Sequence, residues 1–477
     1  MPPRRRVLVA SIVALGLSTT ARLTGSPAED NPAIELLAFA ATGAPAEFAA
    51  DLFIRIAESP NVSDTARKRE LLNDAFMRAY GAQESFKRAA ASAPIDSPAG
   101  GVTRALATGL DMLTLQLRAT AGMVEVDPAR AREMFEWIDF YLPRATCRDL
   151  LVPVADEYYS TLAAISRRTF GDTPEERGDA LRFFELYLWR THLPSEIPAL
   201  VKAVKTLELT LVDAGYLEAA IGALTNQIDS DPRGFSSYGL EIVSHMTELA
   251  DANRNNGVLG ETLMRAARKL IAAQISAARC TDSAAETAIA ETFNAILRRK
   301  ELAPTDVPPV TTNDARSARL LGAAVVGVYW RTPDAKRLVD RLQDLRDLAA
   351  GPRTMAIKAG PDWQRLALQW LQEVDAWNGA REASEREFFD QRVLLYDQFM
   401  NVVLPGTLRE RAVQSWIEFL RRSENGRIPR TAWMANVIRL FDRGEPTTIK
   451  AMEESGHYLL TMYARAERLL GNVRRDP

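Results

Sequence analysis

Apolar residues recur every three or four positions along most of the chain, the spacing that places them on one face of an α-helix. In residues 333–350, for example, Leu338, Leu342 and Leu345 fall on one stripe among charged neighbours. Sustained alternation of apolar and polar residues, which would indicate half-buried strands, is nearly absent. The pattern therefore predicts an all-α protein.

Helix starts are marked by capping residues placed directly before a proline. The dipeptides at 127–128, 173–174 and 332–333 are Asp-Pro or Thr-Pro, the pairing typical of an N-cap followed by the first helical residue. Glu176 lies three residues after Thr173, which is the spacing of a capping box. Gly351 follows a predicted helix end, where glycine commonly closes the last turn.

The predicted helices are organised as hairpins at a fairly regular period. The second helices of these hairpins begin near residues 128, 174, 216, 258, 333, 385 and 429. Most of these starts are about 42 to 52 residues apart, close to the roughly 34 to 47 residues of helical-hairpin repeats. This organisation predicts stacked helical hairpins, an α-solenoid.

Residues 201–234 contain the best single repeat. The sequence GYLEAA at 215–220 is followed by Asp-Pro at 231–232. This segment resembles the second half of a tetratricopeptide repeat, and residues 127–138 and 173–186 resemble it more loosely. The resemblance implies a tetratricopeptide-like or HEAT-like solenoid, and a closed α/α toroid is the alternative. An open stack leaves its first and last hairpins apart, whereas a toroid brings them into contact.

The two cysteines bear on the same question. Cys147 precedes a predicted helix start and Cys280 lies near a predicted helix end, so about three hairpins separate them. A disulfide between them would favour a closed or tightly wound structure, because each repeat of an open solenoid contacts mainly its neighbours. Two separate buried thiols are the other interpretation.

The first residues have the layout of an export signal. Three arginines precede the apolar sequence VLVASIVALGL at 7–17, and a stretch of small and polar residues follows. These 11 apolar positions span only about 16 Å as a helix, roughly half of a bilayer core. We expect a signal peptide at 1–28, cleaved after Ala21 or Ala28; an uncleaved anchor is the alternative. The protein is then exported, periplasmic or extracellular, with no further membrane span.

Beyond the signal, the chain divides at its clearest linker. The sequence ELAPTDVPPVTTNDA at 301–315 contains three prolines, which disfavour helix. We predict an N-terminal helical-hairpin array at 29–300 and a C-terminal one at 316–477.

The net charge of the chain limits the classes of partner that the protein is expected to bind. The chain carries 59 Lys and Arg against 62 Asp and Glu, a net charge of −3. Cleavage after Ala28 removes four arginines and leaves about −7. A mildly acidic protein without a basic run is poorly suited to nucleic acid, because phosphate contacts need clustered Lys and Arg. We therefore predict no nucleic-acid partner.

Side chains suited to metal or nucleophilic chemistry are scarce. The histidines His192, His245 and His457 are scattered, and only Glu454 and His457 have ligand-like spacing, which we interpret as a chance surface pair. Metalloprotease, nucleophile-elbow and phosphate-loop motifs are absent from the sequence. We predict no cofactor and no metal, and the sequence assigns no catalytic residue.

Two aromatic features require interpretation. Trp363, Trp370 and Trp377 lie seven residues apart and therefore line one helical stripe. We interpret them as core anchors, and a ligand or partner surface is the alternative. The acidic pair at 156–157 precedes two tyrosines at 158–159, which we interpret as a solvated helix face beside a core face.

Together these patterns predict an exported, non-enzymatic module that binds a protein or peptide or acts as a scaffold. A stack of hairpins presents an extended concave face suited to such partners. The alternative is a secreted carbohydrate-active enzyme, a glycoside hydrolase or lyase, on an α/α toroid. That enzyme needs two carboxylates about 5 to 10 Å apart in a cleft.

Overall fold

The computed structural model describes most of the helical chain. Its longer described stretches are residues 32–82, 109–140, 155–170, 173–188, 193–206, 214–228, 237–276, 332–351, 353–379, 385–424 and 445–470. Shorter described pieces are 88–89, 152–153, 279–281, 291–292, 294–295, 320–323, 427–428, 433, 436–438 and 440. The predicted signal at 1–28, the predicted linker at 301–315 and Cys147 lie outside these residues.

The described chain is all-helical apart from a few very short strands, so the all-α prediction is confirmed. The helices of the N-terminal part are α1 (Pro32–Thr42), α2 (Ala46–Glu58), α3 (Thr65–Ala79), α4 (Met112–Val126), α5 (Pro128–Glu136), α6 (Asp156–Arg168), α7 (Pro174–Leu188), α8 (Ile197–Thr206), α9 (Ala214–Asn226), α10 (Ser237–Ala252) and α11 (Gly257–Ser276). Those of the C-terminal part are α12 (Pro333–Leu348), α13 (Thr354–Ala359), α14 (Pro361–Ala376), α15 (Glu385–Val402), α16 (Thr407–Ser423), α17 (Pro446–Glu454) and α18 (Tyr458–Leu470).

The strands form two small pairs. Strands β1 (Arg88–Ala89) and β2 (Val152–Pro153) are antiparallel. Strands β3 (Arg279–Thr281) and β4 (Leu320–Ala323) are parallel. The β3–β4 pair brings the two sides of the predicted linker together, although the boundary at 301–315 itself stays a prediction.

Helix starts follow the local capping chemistry. The Asp127 carboxylate accepts from the backbone N–H of Arg130 at 3.1 Å, directly before Pro128 opens α5. Thr173 and Glu176 exchange hydrogen bonds in both directions at the start of α7, so the predicted capping box is present. These bonds satisfy N–H groups that a helix end otherwise leaves without partners.

Many of the described helices contact the next helix but one along the chain. This holds for the series α2, α4, α6, α8 and α10 and for the series α7, α9 and α11. It also holds for α12, α14 and α16 in the C-terminal part. These contacts bury one face of each helix against its neighbours in the series.

The first and last of the described helices are in contact, which departs from the expectation for an open stack. Helix α18 packs on both α1 and α2. The Ser59 hydroxyl donates to the carbonyl of Leu470 at 3.0 Å, and the Asn61 amide donates to that of Leu469 at 2.8 Å. Both carbonyls belong to the last turn of α18, where helical geometry leaves carbonyls without partners inside the helix, so Ser59 and Asn61 cap this helix. We call this contact the seam.

A buried ionic network stabilises the seam. Asp51 of α2 is fully buried and accepts from Arg55 at 2.8 Å and from Arg118 of α4 at 2.6 Å. The hydroxyl of Tyr463, on α18, donates to the same carboxylate at 3.1 Å. A buried carboxylate needs such partners because water no longer solvates it. The network therefore joins three helices from opposite ends of the chain.

No described helix combines the length and the apolar character needed to cross a bilayer.

Candidate functional site

The three tryptophans of the predicted stripe are buried in the C-terminal part, but only Trp363 and Trp370 lie on α14, because the helix ends at Ala376 and Trp377 follows it with an extended backbone. Trp363, Trp370 and Trp377 are 4%, 0% and 8% exposed. The indole N–H groups of Trp363 and Trp370 donate to the carbonyls of Leu345 and Leu338 on α12, at 3.0 and 2.8 Å. Burial and hydrogen bonding of these rings against α12 support the packing interpretation over the ligand-surface alternative.

The other sequence candidates are dispersed. Cys280 lies in strand β3 and Cys147 lies outside the described residues, so the disulfide and the two separate thiols both stay predictions. His457 contacts Glu424 at 2.7 Å, while Glu454 lies nearest Lys450. Among the described residues no three His, Cys, Asp or Glu side chains group as a metal site.

The acid–aromatic segment at the start of α6 divides between surface and core. Asp156 forms a partly exposed ion pair with Lys202 at 2.6 Å. Tyr159 is buried and donates to the Glu196 carboxylate at 2.7 Å. Burial, and then the Glu196 charge, raise the pKa of Tyr159 well above its usual value. Tyr159 therefore remains a neutral hydrogen-bond donor. The Tyr159–Glu196 pair contributes to the packing of α6.

A polar cavity lies at the α14–α16 corner, and the sequence did not single it out. It has a volume of about 780 Å³. Its walls are the end of α14, the start of α15 and the length of α16. We call it the corner pocket; its lining side chains include Asp375, Asn378, Glu385, Phe388, Phe389, Arg392, Arg411, Gln414, Ser415, Glu418, Phe419, Arg422, Ser423 and Ile428.

Asp375 joins the three walls of the corner pocket. Its carboxylate accepts from the hydroxyl of Tyr396, on α15, at 2.7 Å and from the hydroxyl of Ser415, on α16, at 2.9 Å. Burial, and with it the Asp375 carboxylate, raise the pKa of Tyr396 well above its usual value, although Arg392 opposes the shift. Tyr396 is therefore a neutral donor at physiological pH, which fixes α15 against the end of α14.

Arg392 completes the same wall. It donates to the carbonyls of Trp377 and Asp375 at 3.1 and 2.9 Å. Its guanidinium carbon lies 4.4 Å from the centroid of the Phe419 ring, within the range of a cation–π contact. Arg392 donates to backbone carbonyls and its guanidinium group lies against an aromatic ring. We therefore assign it a structural role in this wall.

The turn between α14 and α15 brings Trp377 behind the corner pocket. The Trp377 and Phe388 rings meet edge to face with centroids 5.2 Å apart, and Phe388 lines the cavity. Gly379 has a φ of 82°, and a Cβ there would lie 2.7 Å from the Phe388 ring. Glycine is therefore required both by the backbone conformation and by the close approach of this ring.

The remaining carboxylates of the corner pocket are engaged by cations. Glu418 pairs with Arg421 at 3.4 Å and with Arg422 at 2.9 Å. Glu385 pairs with Arg427. The lining therefore holds three carboxylates, those of Asp375, Glu385 and Glu418, and three guanidinium groups, those of Arg392, Arg411 and Arg422.

Three lining side chains remain available to a ligand. Asn378, Arg411 and Gln414 are exposed and line the cavity, and none of the three forms a hydrogen bond or ion pair with the described part of the chain. Two primary amides, each both donor and acceptor, thus stand beside one guanidinium. This set can bind a group rich in amides and carboxylates.

Sequence reasoning missed the corner pocket because its signal resembles an ordinary solvated face. Arg411, Ser415, Glu418 and Arg422 lie at helical spacing along α16, and such polar stripes occur on most surface helices. Only the turn at Gly379 and the fold of α15 place Asp375 opposite that stripe.

A second cavity, of about 520 Å³, lies over the seam between α1 and α18. Its lining is mainly apolar, with Leu36, Leu37, Met462 and Leu469 among its residues. Its scarcity of polar groups gives it less chemistry than the corner pocket.

No family model, no curated protein and no solved structure matches this chain.

Proposed function

We propose that this protein is an exported, non-enzymatic binding module that holds a peptide segment of a partner in the corner pocket. The observation that carries the proposal is the set of unengaged Asn378, Arg411 and Gln414 side chains around a cavity of about 780 Å³. Side-chain amides match the alternating donors and acceptors of a peptide backbone. Phe388 and Phe389 add apolar surface for side chains of the partner.

The state of the carboxylates supports binding rather than catalysis. Asp375 accepts from two hydroxyl groups, and Glu385 and Glu418 pair with arginines. Carboxylates committed in this way hold the walls of the cavity in place. The contacts between alternate helices support a solenoid-like scaffold for this site, tetratricopeptide-like or HEAT-like in its stacking, although the contact at the seam departs from an open stack.

Selection from a random peptide library tests the proposal. The purified protein is panned against ten-residue peptides displayed on beads, beside a Gln414→Trp variant whose bulky indole takes up part of the cavity and replaces the amide. Gln372→Trp, at an exposed position of α14 outside the lining, is the matched control. We expect the unmodified protein and Gln372→Trp to enrich a common set of peptides and Gln414→Trp to lose it. Equal enrichment by all three proteins would refute the corner pocket as the site.

The contact of α1 and α2 with α18 favours the second candidate, a carbohydrate-active enzyme on a closed α/α toroid. That enzyme would use a carboxylate pair such as Asp375 and Glu418. Incubation with a panel of polysaccharides, followed by measurement of new reducing ends or unsaturated products, decides between the two. Product formation that Asp375→Asn and Glu418→Gln abolish would establish the enzyme and overturn the binding proposal.

A further inference from the structure

We infer that the corner pocket selects peptides that carry a carboxylate, and that Arg411 is the residue that binds it. This inference rests on the proposed function and specifies the chemistry of the partner. Arg411 lies on α16 and lines the cavity. An arginine presents a planar fork of donors that matches a carboxylate at two points.

Arg411 differs from the neighbouring arginines, because those arginines already bind other groups of the protein. Arg392 donates hydrogen bonds to backbone carbonyls and to the hydroxyl of Tyr396, and its guanidinium group lies over the Phe419 ring. Arg422 pairs with Glu418. Within the described residues Arg411 has no carboxylate, carbonyl or hydroxyl partner, and its side chain, which carries five N–H donors, is exposed.

The pairing of the lining carboxylates adds a second reason. The lining holds three carboxylates and three guanidinium groups, and Glu385 and Glu418 pair with Arg427 and Arg421, which stand outside the lining. Among the lining cations, Arg411 therefore has no carboxylate partner in the described part of the chain. A carboxylate of a partner entering beside Arg411 meets this unpaired cation, whereas a basic peptide meets repulsion.

Asn378 and Gln414 determine how the carboxylate is presented. Gln414 lies three residues after Arg411, on the same face of α16. An amide next to the guanidinium can accept from the peptide N–H group adjacent to the bound carboxylate. The expected motif is therefore an Asp or Glu side chain, or a terminal carboxylate, within an extended segment.

The same bead library tests the inference, with each peptide present as a free acid and as an amide at its end. Three proteins are compared: the unmodified chain, Arg411→Gln and the control Arg365→Gln. Arg365 is an exposed arginine of α14 with a long contact to Asp362 at 3.6 Å.

We expect the unmodified protein and the control to enrich Asp and Glu roughly tenfold over Asn and Gln, and Arg411→Gln to lose this preference while still binding. Enrichment confined to the free-acid arm would assign the site to a chain terminus, and enrichment in both arms to side-chain carboxylates.

The outcomes separate the two proposals. Peptide enrichment that depends on Gln414 but shows no acidic preference would overturn the inference about Arg411 and leave the binding function standing. An acidic preference that Arg411→Gln retains would also overturn it. Absence of any enrichment above the Gln414→Trp variant would refute both. Binding of uronic-acid polysaccharides in place of peptides would assign the carboxylate site to another class of partner and refute the peptide proposal.

Discussion

The hydroxyl of Tyr463 donates to the carboxylate of Asp51 at 3.1 Å, and the two residues are 412 positions apart in sequence. Both are buried, and Asp51 also accepts from two arginines. The contact joins α18 to α2, so the last helix of the described chain is held by one of the first. The stability of the seam should therefore depend on residues at both ends of the sequence.

Removal of the Tyr463 hydroxyl should weaken the whole fold. Tyr463→Phe removes one donor from a buried carboxylate while keeping the ring, and we expect a loss of about 1–3 kcal/mol in the free energy of unfolding. Urea denaturation followed by circular dichroism measures it. Tyr458→Phe is the control, because its hydroxyl bonds to the carbonyl of Ala40 at an exposed site. An equal or larger loss in Tyr458→Phe would argue against a special role for the buried pair.

Stability should fall in alkaline solution. Burial, and next the charge of Glu196 or Asp51, raise the pKa of Tyr159 and Tyr463 above the usual value near 10. In the unfolded chain these tyrosines ionise near pH 10, whereas the folded chain retains their protons. Their contribution is therefore fully present below about pH 10 and is lost as the pH rises toward the folded-state pKa, by roughly 1 kcal/mol per tyrosine between pH 9 and 11.

Free energies of unfolding measured at pH 9 and pH 11 test this dependence. The Tyr463→Phe variant should lose less stability over that interval than the unmodified protein, because one buried proton no longer contributes. An identical loss in both proteins would assign the alkaline sensitivity to other groups.

Trp370 should act as a core anchor. It is fully buried, bonds to the carbonyl of Leu338, and stacks on Phe399 with ring centroids 4.8 Å apart. Trp370→Phe removes the donor and leaves a small cavity, at an expected cost of about 2–3 kcal/mol. Trp137→Phe is the control, because Trp137 is 55% exposed and should cost less than about 0.5 kcal/mol. Equal costs would contradict the core assignment.

Asp375 should position the corner pocket as well as stabilise it. Asp375→Asn weakens the hydrogen bonds from Tyr396 and Ser415, with an expected loss of about 1–2 kcal/mol and weaker peptide binding. Asp362→Asn, at an almost fully exposed position of the same helix, should change neither quantity measurably. Unchanged binding in Asp375→Asn would show that the three walls hold their positions without this carboxylate.

The parts of the fold that could be predicted from sequence are local. The pairs at 127–128 and 173–174 predict the starts of α5 and α7, because a cap and its proline act within one helical turn. The seven-residue spacing of Trp363 and Trp370 predicts their shared stripe on α14, since 3.6 residues per turn fix its direction. Trp377 departs from that prediction, because the helix ends one residue before it.

The seam and the corner pocket are not local. No spacing rule connects Asp51 with Tyr463. Their contact depends on how many helices pack between α2 and α18 and on the angles between them. Asp375 and Ser415 are 40 residues apart, and each looks like an ordinary surface residue in its own helix. Their meeting requires the turn at Gly379 and the packing of α15, which the helical periodicity does not encode.

Hydrogen–deuterium exchange with a library-selected acidic peptide tests the central claim, that the corner pocket is the binding site. Exchange is compared with and without the peptide in the unmodified protein and in Gln414→Trp. We predict slower exchange in residues 375–379 and 385–392 and along α16, in the unmodified protein alone. Slower exchange confined to α1 and α18, or equal protection in both proteins, would contradict the account.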